Sequence, residues 1–387
     1  MALELRVYDT DLVYLGVVDE ITSLLWTPTY WNEGTVGDMK LLVPMTEKNK
    51  GLLQKNNIIV KRDGTTDYVD ETGNWRRAAQ VRYRKITKDT EGAEQIEIQG
   101  CFLKKWLSKR VVLNKIMTTD TKQSVINRIV YENHGAGADT KRKLPRFLFL
   151  SQDDLGGSAA EYSNEDLIDA GKEVYTNALA GKLGYDILVN ERTKMYGFYL
   201  YKGKDLTSGN TEGNTPSVFS RDFDNVNEQE YTESNEGVKT TMYITGAADE
   251  NGAVPVVEVG AEYEGLEREE VHVDFTSIAR KYTENEVEIT IPEAEYRKLL
   301  AAAGEADLEN YGESVAFKAT INVSSNLKYR EDFNLGDRVT CVEKTWGILI
   351  DVRITAICET YQNGKVEIEA TLGDSLPTLL QQIRKVR

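Results

Sequence analysis

The chain has 387 residues, enough for two to four domains with sizeable cores. It carries 63 acids against 47 bases, a net charge of −16, which argues against non-specific nucleic-acid binding because that needs basic surface to displace counterions. No apolar run approaches the ~20 residues of a membrane span, and three widely spaced cysteines do not form a secreted disulfide framework.

A mean hydropathy of −0.45 fits a protein of several small domains rather than one large core. The start, MALELRVYDTD, has neither a basic leader nor an apolar stretch, so folding in a cytosol is expected. Residues 1–110 read as β-rich. Leu5–Tyr8 and Leu12–Gly16 flank a turn at Asp9, Thr10 and Asp11. Further strands are expected at Ile21–Thr27, Met39–Pro44 and Ile58–Arg62, the last ending at the Asp63-Gly64 turn signal. Ala78–Lys88 and Glu94–Gln99 read as an antiparallel pair joined through residues 89–92.

A composition shift follows at 111–115. Val125, Ile126, Ile129 and Val130 form a helical stripe within Asp120–Asn133. A second helix is expected to start on a capping box of Ser163 and Asp166. Its face carries Leu167, Gly171, Val174, Tyr175, Ala178 and Leu179, and Gly181 and Gly184 stop it. Two strands, Tyr185–Val189 and Met195–Tyr201, complete an α+β module, and Thr207–Pro216 reads as an exposed loop.

Strands resume at Val238–Gly246 and Val254–Val259, then at Arg268–Phe275. Pro292 opens a helix to Ala303, where its missing N–H would be unpaired in any case. Val315–Val323 returns to β pattern. A small α+β unit thus reads as inserted into a β domain. In Gly347–Cys358, Ile348, Ile350, Val352 and Ile354 alternate with Leu349, Asp351, Arg353 and Thr355, so one face is buried. Val366, Ile368, Ala370 and Leu372 repeat the pattern after Asn363-Gly364, a pair suited to a type I′ hairpin. Asn334-Leu335-Gly336-Asp337 turns the chain into a strand through Val339 and Cys341.

Chemistry is sparse. Cys101, Cys341 and Cys358 sit in apolar strand contexts, where a thiol behaves as a small hydrophobe. His134 reads as an exposed helix end and His272 as an outward residue between Val271 and Val273. A Cys101/His134 dyad lacks any nucleophile-elbow context. Asp153-Asp154 with Gly156-Gly157 lacks the alternating oxygen ligands of a calcium loop and reads as a turn. No phosphate loop, dinucleotide fingerprint or zinc spacing is present, so no catalytic, cofactor-binding or metal residue is assigned.

The order of several stretches resembles the tail hub, or baseplate hub, proteins of long-tailed bacteriophages, and within them a siphophage Gp37-like group. These are VYDTDLVYLGVVDEITSLLWTPTYWNEGTVGDMKLLVP at 7–44, IEIQGCFLKKWLSKRVV at 96–112 and LGYDILVNERTKMYGFYLYKGKDLT at 183–207. SRDFDNVNEQEYTESNEGVKTTMYITG at 220–246 and NLGDRVTCVEKTWGILIDVRITAICETYQNGKVEIEATLGD at 334–374 continue it. The resemblance implies an α+β, multi-domain, β-rich chain. Two small antiparallel β-barrel tube domains would occupy 1–112, and 217–260 with 315–375. Peripheral α+β modules would occupy 113–216 and 261–314, with a basic tail at 376–387.

The same resemblance implies a non-enzymatic virion component that forms a homotrimeric, pseudo-sixfold ring. Its partners would be the distal tail ring, the tape-measure protein and tail-tip or receptor-binding proteins. DNA would pass through an acidic channel without specific binding, and assembly would take place in the bacterial host cytoplasm. A peptidoglycan hydrolase and a carbohydrate-binding adhesion module are the alternatives. No wall-degrading extension is expected after Gly373-Asp374.

Overall fold

The computed structural model describes residues 3–31, 38–150, 154–164, 167–260, 263–276, 278–284, 287–308 and 311–373. The first region contains β1 (Glu4–Tyr8), β2 (Tyr14–Val17), β3 (Ser23–Trp26) and β4 (Asp38–Pro44). A short helix α1 (Glu47–Leu52) leads to β5 (Ile58–Arg62), β6 (Tyr68–Asp70), β7 (Gly73–Lys88) and β8 (Glu94–Phe102). After a 3-10 turn come β9 (Met117–Asp120), α2 (Lys122–Asn133), β10 (Phe147–Phe149) and β11 (Ala160–Ser163). Helix α3 (Ala170–Ala180) precedes β12 (Gly184–Asn190) and β13 (Met195–Tyr201). Two short strands, β14 (Asp205–Leu206) and β15 (Val218–Phe219), flank the expected loop and lead to β16 (Val226–Ser234). Then come β17 (Thr241–Gly246), β18 (Val256–Gly260), β19 (Glu270–Phe275), β20 (Lys281–Glu284) and β21 (Val287–Thr290). Helix α4 (Glu293–Leu308), β22 (Ser314–Ile321), β23 (Arg338–Glu343), β24 (Ile348–Gln362) and β25 (Lys365–Gly373) complete the described chain.

The two β-rich ends are one sheet. Eight strands follow one another as β16-β22-β25-β24-β3-β4-β8-β7, and each neighbouring pair is antiparallel. The joint is β24 with β3, where Glu359 lies opposite Trp26 and Tyr361 opposite Leu24. Separate barrels were expected. Among the described residues no ladder closes either β-rich region on itself, because β3 spends its second edge on β24.

One face of this sheet is apolar. Under the first half lie Leu5, Val7, Leu24, Trp26, Leu41, Val43, Ile96 and Ile98, with Trp26 edge-on to Phe102 at 4.8 Å between ring centres. Under the second half lie Phe219, Phe317, Ile321, Phe333, Val339, Cys341, Ile354, Ile357 and Leu372. Each such side chain stabilises the fold by about 1.5–3 kcal/mol relative to exposure. A third core joins α2 and α3 to β12 and β13, through Val125, Ile126, Ile129, Val130, Val174, Ala178, Ile187 and Phe198.

Several local expectations need correction. Ser163 does not cap α3: it lies in β11, opposite Met117 of β9. Asp169 caps the helix instead, its side chain accepting from the backbone N of Lys172 at 2.9 Å. Leu167 is exposed at φ +53°, outside the helical stripe, and Asp166 lies outside the described residues. The alternation in β24 fails at a bulge between Ile354 and Ala356, which turns Ile357 and Glu359 to the core. Val366 is exposed near the hairpin tip, although Asn363 and Gly364 both take the positive φ of the expected turn. Strands β17 and β18 are expected with β16, but β17 pairs with β18 on one side and with β19 on the other. Residues 235–313 thus carry their own core of Met242, Ile244, Val259, Ile278, Ile291, Tyr296 and Leu300. Ser234 and Ser314, at its two ends, face each other across the β16–β22 ladder. The basic tail lies outside the described residues.

Candidate functional site: a polar sheet face backed by a buried ionic junction

The second face of the eight-strand sheet is polar. One cross-strand row reads Glu367, Thr360, Leu25, Lys40, Gln99 and Tyr83. The same face presents Glu228 and Glu230 of β16, Lys318 of β22, Lys365 and Glu369 of β25, Glu97 of β8 and Lys85 of β7. Glu97 lies 3.6 Å from Lys40. Among the described side chains, five carboxylates and four ammoniums nearly balance on this face. The acidity lies elsewhere: residues 235–313 hold 19 acids against 6 bases, −13 of the total −16.

A buried ionic cluster supports the sheet where its halves meet. Alternation after the bulge points Glu359 inward, opposite Trp26, where it meets Lys61 of β5. Both side chains are 4% exposed, so the pair is desolvated and each ion depends on its partners. Lys61 also lies 2.8 Å from Asp63 and donates to the Tyr361 hydroxyl at 3.1 Å. Tyr361 donates to Glu359 at 2.6 Å. Burial and then the Glu359 charge push the Tyr361 phenol far up, keeping it a donor.

Arg77 of β7 continues the cluster, 2.5 Å from Asp67 and 2.7 Å from Asp186 of β12. Arg330 joins from the second half, 3.1 Å from Asp67 and 3.7 Å from Glu359. Burial alone would raise the Asp67 carboxyl, but Arg77 and then Arg330 outweigh it and hold the group at about 2. Arg330 has φ +73°, a left-handed conformation that residues other than glycine seldom adopt, and this loop delivers its guanidinium to both carboxylates. Nearby, the fully buried Tyr30 donates to the carbonyl of Lys182 at 3.0 Å, and Trp31 donates to that of Leu183 at 2.9 Å. The guanidinium of Arg353 lies 5.2 Å from the centre of the Tyr30 ring. The cluster thus binds β5, β7, β12 and β24 together. Its carboxylates are committed to guanidiniums and an ammonium, which suits holding geometry rather than moving protons.

The singled-out residues are scattered. His134 is the C-cap of α2, as its position implied, but it is fully buried rather than exposed. Its Nε2 donates to the Leu107 carbonyl at 3.0 Å, and burial lowers its pKa to about 4. A ring so enclosed and committed is not positioned as a base for Cys101, which lies on β8. Cys341 is buried in the second core, and burial pushes its thiol well up. Cys358 is half-buried on β24. His272 faces outward on β19, 3.2 Å from Thr245 Oγ1. Asp154 accepts from Gly156 N at 2.8 Å in a turn, and Asp153 lies outside the described residues. Among the described residues no group of three His, Cys, Asp or Glu could hold a metal. The junction itself went unread. Its one trace in the sequence is a charge at an inward phase, as with Lys61 after Ile58-Ile59-Val60.

Residues 4–374 match the family described as Siphovirus ReqiPepy6 Gp37-like protein. The chain belongs to this family. No curated protein matches the sequence. The Gp37-like chain shares its fold with a tail protein from Neisseria meningitidis MC58, at 10% identity and a TM-score of 0.55, covering 97% of each chain. It is similar to the 43 kDa tail protein of prophage MuSo2 from Shewanella oneidensis, at 9% identity and 0.53, covering 95% of this chain and 98% of that one. It is also similar to prophage tail protein gp18 from Listeria monocytogenes EGD-e, at 14% identity and 0.51, covering 99% and 98%. The fold is therefore that of phage-type tail proteins, and no described helix is long and apolar enough to cross a membrane.

Proposed function

We propose that the chain is the hub of a siphophage tail tip. Three copies close into a ring whose two β-rich halves per copy give pseudo-sixfold symmetry to match the tail tube. The polar face of the eight-strand sheet lines the channel, and the 113–216 and inserted modules decorate the outside. The observation that carries this reading is the continuous antiparallel sheet, apolar behind and polar in front, running through both ends of the chain. A wall of interspersed ammoniums and carboxylates suits passage of DNA, because neither charge sign accumulates enough to hold or exclude it. The ring joins the distal tail ring and tape-measure protein above to tip proteins below, within a virion built in the host cytoplasm. The protein acts as a scaffold and not as an enzyme.

Light scattering on the purified chain, followed by negative-stain imaging, tests this. The expected result is a mass of three times 43.6 kDa with a central hole. A dimer with a closed cleft would overturn it.

A further inference from the structure

The second core is incompletely covered along the first half of β24. Residues 348–353 pair with β23 on one side, and no described strand pairs with their other side. Ile350 and Val352 pack on the second core yet stay only partly buried. Leu349 is 70% exposed and Trp346, in the turn before β24, is 51% exposed. Apolar side chains grouped along a free strand edge mark a surface that another segment covers. The neighbour that could have covered it, β25, stops short: its ladder with β24 ends at Leu372, opposite Ile354. Gly373, at φ +85°, takes the chain out of the strand. A Cβ built on Gly373 would lie 3.6 Å from Val352 Cγ1 and would run into the Val315 carbonyl of β22. Residues 374–387, which lie outside the described residues, therefore begin in the cleft between the free edge of β24 and the end of β22.

The sequence of that segment fits the cleft. Leu376, Leu379, Leu380 and Ile383 recur at the spacing of one helix face, and Pro377 suits a first turn. A helix over 376–387 is about 18 Å long at 1.5 Å per residue. The open edge of six residues is about 20 Å long at 3.3 Å per residue, so the two lengths match. Charge agrees. One acid, Asp374, stands against Arg384, Lys385 and Arg387, a net +2. The unit of net charge −13 re-enters the sheet at Ser314, beside the same exit, where Glu233 and Glu313 are exposed. Its field favours return of the segment over its departure at low ionic strength. We infer that residues 374–387 fold back on their own chain as an amphipathic helix along the free edge of β24. The Leu376-Leu379-Leu380-Ile383 stripe then covers Leu349, Ile350, Val352 and Trp346. The contact closes the second core within one copy, so it stands or falls independently of the ring proposed above.

Amide hydrogen exchange on the full chain tests it, read by mass spectrometry at several protein concentrations, with circular dichroism as the folding control. In the wild type, 376–387 and 348–353 should both be protected, to the same degree at every concentration. A variant combining Leu379→Asp and Ile383→Asp puts charge into the stripe. Both segments should then exchange about tenfold faster or more, while β4 and β8 stay within about twofold of the wild type. Leu379→Met with Ile383→Leu keeps the stripe apolar and should retain the protection of both segments. Exchange of 376–387 at the rate of an unstructured peptide in the wild type would overturn the inference and leave the segment free for another protein. Protection that appears only as concentration rises would overturn it in favour of a second copy. Loss of protection at 376–387 with 348–353 unchanged would overturn the docking site, because the helix would then lie elsewhere.

Discussion

Lys61 and Glu359 are 298 positions apart and meet under the joint between β3 and β24. Removing one member of such a pair leaves an uncompensated buried ion, at a cost of ~3–5 kcal/mol. Glu359→Gln and Lys61→Met should each lower stability by that amount in urea unfolding. Lys61→Met with Glu359→Met should cost clearly less than the sum, since no charge is then stranded. His134 makes a pH prediction. Its folded pKa, about 4, lies below the unfolded 6.5, so the unfolded chain binds the proton more readily. Stability is full above pH 6.5 and falls as pH drops towards 4, by roughly 3 kcal/mol. In His134→Gln that slope should flatten, as read from the urea midpoint at pH 7 and pH 5. Asp67 acts lower: its stabilisation is lost as pH falls from its ordinary 3.8 through about 2. These pairs were not legible in the sequence, because contact across hundreds of residues leaves no local period. His134 was legible as a helix end, whereas its burial and its bond to the Leu107 carbonyl arise only from tertiary packing.

Elements were legible wherever periodicity and turn chemistry agreed. The β7–β8 hairpin, α2 and the Asn363-Gly364 turn follow directly from apolar spacing and positive-φ residues. The start of α3 was missed because Ser163 and Asp169 are both competent caps, and only the β9–β11 ladder decides between them. Asp169→Ala should therefore lower stability by about 1 kcal/mol, and Ser163→Ala should leave α3 intact, as measured by urea unfolding and helical circular dichroism. The β24 bulge was invisible for a similar reason. Period-two alternation carries through Ile354, and nothing in Thr355-Ala356 announces the slip that turns Glu359 inward. At Gly203, a Cβ would run into the backbone carbonyl of Gly336. Gly203→Ala should thus separate the two segments and lower the melting temperature more than Gly209→Ala, whose added Cβ meets open space.

Across the whole molecule, charge and topology divide the chain differently from composition. An overall −16 reads as an acidic protein, yet the sheet that joins both ends is close to balanced on its polar face. The excess sits in 235–313, a unit with its own core that leaves and re-enters the sheet at the facing residues Ser234 and Ser314. Sequence reading missed this boundary because β17 and β18 have the same strand pattern as their neighbours, and pattern alone does not say which strand pairs with which. That geometry permits a clean excision. Replacing 235–313 with Asn-Gly should give an ordinary two-residue β16–β22 hairpin. The shortened chain carries a net charge of −3. It should still fold, with some loss where Met117 packs against the unit. It should also assemble more readily than the full chain at low ionic strength, because each copy has shed most of its repulsion for the next. At about 0.15 M salt, with a screening length of ~8 Å, that advantage should shrink. Sedimentation of both chains across a salt series reads this directly. If assembly is lost on excision at every salt concentration, the unit is part of the ring contact rather than its periphery.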